Sequence, residues 1–94
     1  MAHTFTCSVV TPEKAVFDAP VVYANVPAAD GQLGILFNRA PILAQLGNGV
    51  LSLDLPDGKR KRFQLTGGFA QMNANKLTLL SEKAVDLDPV AAEH

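Results

Sequence analysis

The sequence has no tryptophan, a single tyrosine (Tyr23) and a single cysteine (Cys7) in 94 residues. One cysteine cannot form an internal disulfide, and its solitary use fits a reducing compartment. The scarcity of aromatics removes the usual mark of a sugar- or peptide-binding surface and the base-stacking platform of a single-strand nucleic-acid binder. Charge of one sign is also lacking: eight basic residues stand against nine acidic ones, so no net field steers the chain to nucleic acid. No apolar run approaches the roughly 18 residues that a membrane-spanning helix needs. The start, "MAHTFTCSVV", lacks the basic stretch and apolar core of a signal peptide. These absences predict one soluble cytoplasmic domain that does not span a membrane.

Catalytic groups are equally sparse. His3 and His94 sit at the two ends of the chain, and no Cys/His/Asp cluster has metal-ligand spacing. "GQLG" and "GNG" are too short for a phosphate loop and have no following lysine. Ser8, Ser52 and Ser81 lie on strand patterns with no histidine nearby in sequence. Cys7, in phase with Phe5 and Val9, reads as a buried core residue rather than a reactive thiol. The expectation is a protein without catalysis, cofactor or metal.

What is present is alternation with a period of two. Phe5, Cys7 and Val9 face one way and Thr4, Thr6 and Ser8 the other, the pattern of a half-buried strand. In "VVYANV", Val22, Ala24 and Val26 share one face, with Val21, Tyr23 and Asn25 opposite. "VLSLDL" aligns Leu51, Leu53 and Leu55, and the turn signal Pro56-Asp57-Gly58 joins it to "KRKRFQLT" as a hairpin. "GFAQM" and "KLTLLSE" flank Asn73-Ala74-Asn75, a second hairpin turn. Gly67-Gly68 interrupts the alternation and marks a bulge, bend or close backbone approach. The basic run 59–62 reads as a solvated edge strand. Pro89 suits the first position of a short helix with Asp88 as its N-cap. Short strands separated by turn residues argue for an all-β sandwich or barrel.

The stretch "AADGQLGILFNRAPILAQLG" (28–47) is apolar but broken by residues that constrain the backbone: Asp30-Gly31, Gly34 and Pro41. It reads as a rigid, exposed, mostly uncharged loop–strand–loop, better suited to docking a protein than to chemistry.

Five segments, in this order and spacing, carry a resemblance: "CSVVTPEKAVFDAPV" (7–21), "DGQLGIL" (30–36), "APILAQLGNGVL" (40–51), "GGFAQM" (67–72) and "NKLTLLSEKA" (75–84). The chain resembles the ε subunits of bacterial F-type ATP synthases, whose mitochondrial counterpart is called δ. The family's usual His-Ala-Pro stands here as Arg39, Ala40 and Pro41. The resemblance implies a ten-stranded β-sandwich in the central stalk, non-catalytic and without cofactor. It would bind the γ subunit and the ring of c subunits and couple ion-driven rotation to ATP synthesis at the cytoplasmic face of a bacterial plasma membrane. It assigns the c-ring contact to Asp30, Gly31 and Gln32, and the γ contact to Thr11, Arg39, Ala40 and Pro41. The competing expectation is a free-standing β-sandwich that binds protein or carbohydrate.

The family's sandwich is followed by a pair of helices opening roughly I/L-D-x-x-R-A. The matching residues here are Leu87, Asp88, Pro89, Val90, Ala91 and Ala92, with Ala91 in place of the arginine. The resemblance therefore implies a sandwich over 1–86 and a tail over 87–94, a vestigial or truncated start of the helical pair. That pair is expected to be absent, and with it ATP binding and inhibition of hydrolysis.

Overall fold

The computed structural model describes residues 3–88. Among these, ten strands form two five-stranded sheets and no helix occurs. In chain order they are β1 (Phe5–Val10), β2 (Ala15–Val21), β3 (Tyr23–Ala28), β4 (Gly31–Ile35), β5 (Ile42–Gln45), β6 (Asn48–Asp54), β7 (Arg60–Thr66), β8 (Phe69–Asn73), β9 (Lys76–Leu80) and β10 (Lys83–Asp86). One sheet has the order β2-β1-β9-β8-β5, the other β10-β7-β6-β3-β4. Of the sandwich or barrel that the strand spacing left open, the described residues form the ten-stranded sandwich that the resemblance implies.

Alternation builds each layer. Phe5, Cys7 and Val9 of β1 and Leu77 and Leu79 of β9 point inward from the first sheet. Leu51 and Leu53 of β6 and Phe63 and Leu65 of β7 meet them from the second. Both predicted hairpins form, with Asp54 opposite Arg60 and Asn73 opposite Lys76. Ala74 and Asn75 close the second turn with φ of 51° and 60°, the left-handed backbone that an asparagine tolerates. β1 and β9 pair in parallel, Thr6 opposite Lys76, so the first sheet is mixed.

The chain passes between the sheets repeatedly. At Val22 it leaves β2 for β3, and the Val22 amide donates to the Asp54 carbonyl at 2.8 Å. This crossing corrects the expected face assignment. Val21 ends β2 pointing inward, Ala24 and Val26 point inward from β3, and the alternation loses its phase between them. Three further crossings lie side by side at Leu46–Gly47, Gly67–Gly68 and Ser81–Glu82. Leu46 N donates to Gly68 O (2.8 Å), Gly67 N to Gly47 O (3.3 Å) and Glu82 N to Thr66 O (3.1 Å). Gly67 and Gly68 have φ of 60° and 109°, and a Cβ on Gly68 would overlap the Leu80 carbonyl oxygen. The glycine pair is thus a close backbone approach, as its place in the sequence suggested. The buried Ser81 hydroxyl accepts from Thr66 N (3.1 Å) and lies within donating distance of Thr66 O (3.2 Å) and Lys83 O (2.8 Å), tying the same crossings together.

The basic run begins an interior strand, although β10 pairs only with the second half of that strand, Phe63–Thr66, and leaves Arg60–Arg62 laddered to β6 alone. β7 lies between β10 and β6, and its charges are taken up locally: Arg60 pairs with Asp54 (2.9 Å), Lys61 with Asp86 (2.7 Å) and Arg62 with Asp88 (3.0 Å). A solvated run was expected because two of the three acids that cover it, Asp86 and Asp88, arrive some 25 residues later, on and after β10. The Asp88 carboxylate, expected to cap a helix, is held by Arg62; the rest of that helix, Pro89 to His94, falls outside the described residues.

The crossings predict where the fold is brittle. Gly68→Ala should prevent native folding, because the Leu80 backbone cannot give way without moving β9. Ser81→Ala should lower the unfolding free energy by about 1–2 kcal/mol, since it removes the part-buried hydrogen bonds of a buried hydroxyl to Thr66 and Lys83, and urea unfolding curves measure both. Cys7, fully buried, has its pKa pushed up to about 12, first by burial and then by the Asp18 charge. A disulfide reagent at pH 8 should therefore modify it only as fast as the domain unfolds; rapid labelling of the native protein would contradict that.

Candidate docking face

The stretch 28–47 places two strands on different sheets rather than one strand between loops. β4 is the edge of the second sheet and β5 the edge of the first, joined by the crossing at residues 36–41. That crossing is held at one end of the sandwich. Asn38, with φ of 65°, donates its amide to Asn75 Oδ1 (2.6 Å), and Asn75 Nδ2 returns a bond to Asn38 Oδ1 (3.0 Å). Phe37 packs against the ring of His3 at 4.7 Å between centroids. Arg39 N closes a turn onto Leu36 O (3.1 Å). Arg39, Ala40 and Pro41 are exposed on this pinned loop.

Thr11 lies at the opposite end of the same sheet. β1 runs from the Asn75 end, where Thr6 N donates to Asn75 O (3.0 Å), to Val10. Thr11 then closes the turn into β2 through its amide and hydroxyl to Lys14 O (2.9 and 3.1 Å). Asp30 in the β3–β4 turn and Gly31 and Gln32 at the start of β4 are exposed, and the turn rests on β5 through Ala29 N to Gln45 O (2.8 Å). Gly31 has φ of 136° with open space where a side chain would stand. The seven residues named from the resemblance therefore lie at two ends of the sandwich and do not converge.

What joins them is a set of residues the sequence reading missed. Across the outer face of the first sheet, Val10 pairs with Leu80, Leu80 with Phe69, and Phe69 with Gln45, two residues beyond Leu43. Leu43, Phe69 and Leu80 are 71%, 52% and 53% exposed. Leu43, Phe69, Leu80 and Val10 thus make an apolar diagonal from the Pro41 loop to Thr11. A shallow depression between Val10, Pro12, Phe69 and Leu80 lies along it. Each of these residues alternates with core residues on its own strand, so only the assembled sheet shows that they form one surface.

The opposite sheet presents a different outer face. Its ion pairs lie there and at its rim, and its exposed valines, Val50 and Val85, are separated by Gln64. Among the described residues no group of three His, Cys, Asp or Glu side chains is placed to hold a metal ion. The site offers shape and apolar area rather than reactive groups.

Residues 4–87 match the family model described as the β-sandwich domain of the ATP synthase delta/epsilon chain. The chain is 40% identical to the ATP synthase epsilon chain of Synechococcus over 93 residues, covering 96% of this chain and 67% of that one. It is 44% identical to the epsilon chain of Symbiobacterium thermophilum over 78 residues, covering 82% of this chain and 55% of that one. A chain in the mitochondrial ATP synthase of Euglena gracilis superimposes with a TM-score of 0.85 at 22% identity, covering 96% of this chain and 57% of its own. One in the central stalk and c-ring of the Tetrahymena thermophila enzyme gives 0.72 at 19% identity, covering 99% and 74%. The structural likenesses establish the sandwich fold, and this chain spans about two thirds of the Synechococcus relative. The sequence matches go further than fold: the chain belongs to the ATP synthase delta/epsilon chain family, whose β-sandwich domain it carries.

Proposed function

We propose that this chain is a non-catalytic subunit of the rotor of an F-type ATP synthase. It docks on γ through the outer face of the β2-β1-β9-β8-β5 sheet and on the c-ring through the Asp30–Gln32 turn, transmitting ion-driven rotation to the catalytic head. The observation that carries the reading is the apolar diagonal from Leu43 to Val10. It lies between Arg39–Pro41 and Thr11, the two separated stretches that the resemblance assigns to γ. Contiguous exposed apolar side chains of this kind mark a protein contact.

A bracket that passes torque needs stiffness more than chemistry. The buried core, the pinned 36–41 crossing and the three adjoining crossings provide it. The protein works without cofactor or nucleic acid, at the cytoplasmic face of a bacterial plasma membrane. It is held there through the complex; among the described residues no helix is long and apolar enough to cross a membrane.

Phe69→Asp or Leu43→Asp should weaken γ binding by at least ~30-fold, equivalent to about 2 kcal/mol for a charge forced into a dry contact. Ala40→Asp should act in the same direction, and Gln32→Arg should weaken the c-ring contact. Val85→Asp, on the other sheet, should leave γ binding unchanged. Pull-down with γ and with c-rings, beside melting curves that verify folding, measures each. Full γ affinity in both Phe69→Asp and Leu43→Asp would contradict the assignment.

A further inference from the structure

Lys61 and Arg62, which the docking face does not use, grip the chain where it leaves the sandwich. Arg62 donates from Nε (3.1 Å) and from its own backbone amide (2.8 Å) to Asp88 Oδ2, and from Nη2 (3.0 Å) to Oδ1. The Leu87 amide donates to the Arg62 carbonyl at 2.9 Å. Lys61 Nζ donates to Asp86 Oδ2 and to the Asp88 carbonyl, each at 2.7 Å. Asp88 N closes the set on Asp86 Oδ1 at 2.8 Å. The Lys61 side chain is only 15% exposed, and its ammonium lies 5.6 Å from the centre of the Phe63 ring.

The segment itself buries little. Asp86 is exposed, and Leu87 and Asp88 are half-buried, none of them part of the hydrophobic core. Its hold is therefore polar, built from charge-assisted hydrogen bonds in a two-pronged arginine–carboxylate geometry. The strand just before it is held differently: Ala84 packs against the core and Ser81 is buried. Two adjacent pieces of chain thus depend on different forces, the condition for one to open while the other stays closed.

We propose that Lys61 and Arg62 form an ionic latch that docks Asp86–Asp88 on β7 and opens without unfolding the sandwich. The inference stands independently of the γ and c-ring assignments. Arg62 draws the Asp88 carboxyl below its usual range, chiefly through their hydrogen bond, so the carboxylate remains charged in its closed position at neutral pH.

Amide hydrogen exchange of the full chain, followed by NMR, tests it. Arg62→Gln and Asp88→Asn should each speed exchange of the Leu87 amide by about tenfold or more, while the Leu46 and Ser81 amides in the crossings keep their wild-type rates. The doubly exchanged variant, Arg62→Asp with Asp88→Arg, should regain part of the Leu87 protection. Raising salt from about 0.01 to 1 M should speed Leu87 in the wild type more than in either single variant, because it screens only a pair that is present. Unchanged Leu87 exchange in both single variants would overturn the latch, as would acceleration of Ser81 and Leu46 in step with Leu87.

Discussion

The contact of Gly68 with the Leu80 carbonyl is the constraint on which the rest of the structure depends. It brings the crossing between β7 and β8 against the end of β9, where the Ser81 hydroxyl engages Thr66 and Lys83. The Leu46–Gly47 crossing joins them through Gly68 O and Gly67 N. Because side chains in a strand alternate, the residue at which β8 begins decides the whole strand: Phe69 outward, Ala70 and Met72 inward. A slip of one residue would bury Phe69 and expose Met72. The same crossing therefore determines both the core and the outer face proposed to dock.

The two outer faces are not equivalent, and the difference suggests a division of labour. One sheet turns an apolar diagonal to solvent and has a pinned loop at one end. The other has its ion pairs on its face and at its rim, and Val50 and Val85 are kept apart by Gln64. Surface ion pairs contribute little to stability, typically about 0–1 kcal/mol. On the second sheet Arg60–Asp54 ties β6 to β7, and Lys61–Asp86 and Arg62–Asp88 tie the end of β10 and the chain exit to β7.

Much of the sandwich is legible in the sequence because its signals are local. The alternation of β1, β6 and β7 and the turn residues at Asp57-Gly58 and Asn73-Ala74-Asn75 act within a few residues of where they are read. The errors arise where distant chain decides. The phase break at Val22 follows from a change of sheet, and the interior place of β7 follows from the later arrival of β10. Ser81 looks like any strand serine until Thr66 is brought beside it. Of the proposed docking face, the ends, Thr11 and Arg39–Pro41, were named in the sequence only by family resemblance. Its middle was not, because an outward leucine and an inward one look alike until topology separates them: Leu80 is exposed and Leu79 is buried.

The central claim is that the outer face of the β2-β1-β9-β8-β5 sheet meets γ. Hydroxyl-radical footprinting of the chain, free and in complex with γ, tests it most directly. The account predicts that Leu43, Phe69 and Leu80 oxidise readily in the free protein and are protected together in the complex, while Val50 and Val85 react equally in both. Protection of Val50 and Val85 with Phe69 and Leu43 left reactive would contradict it.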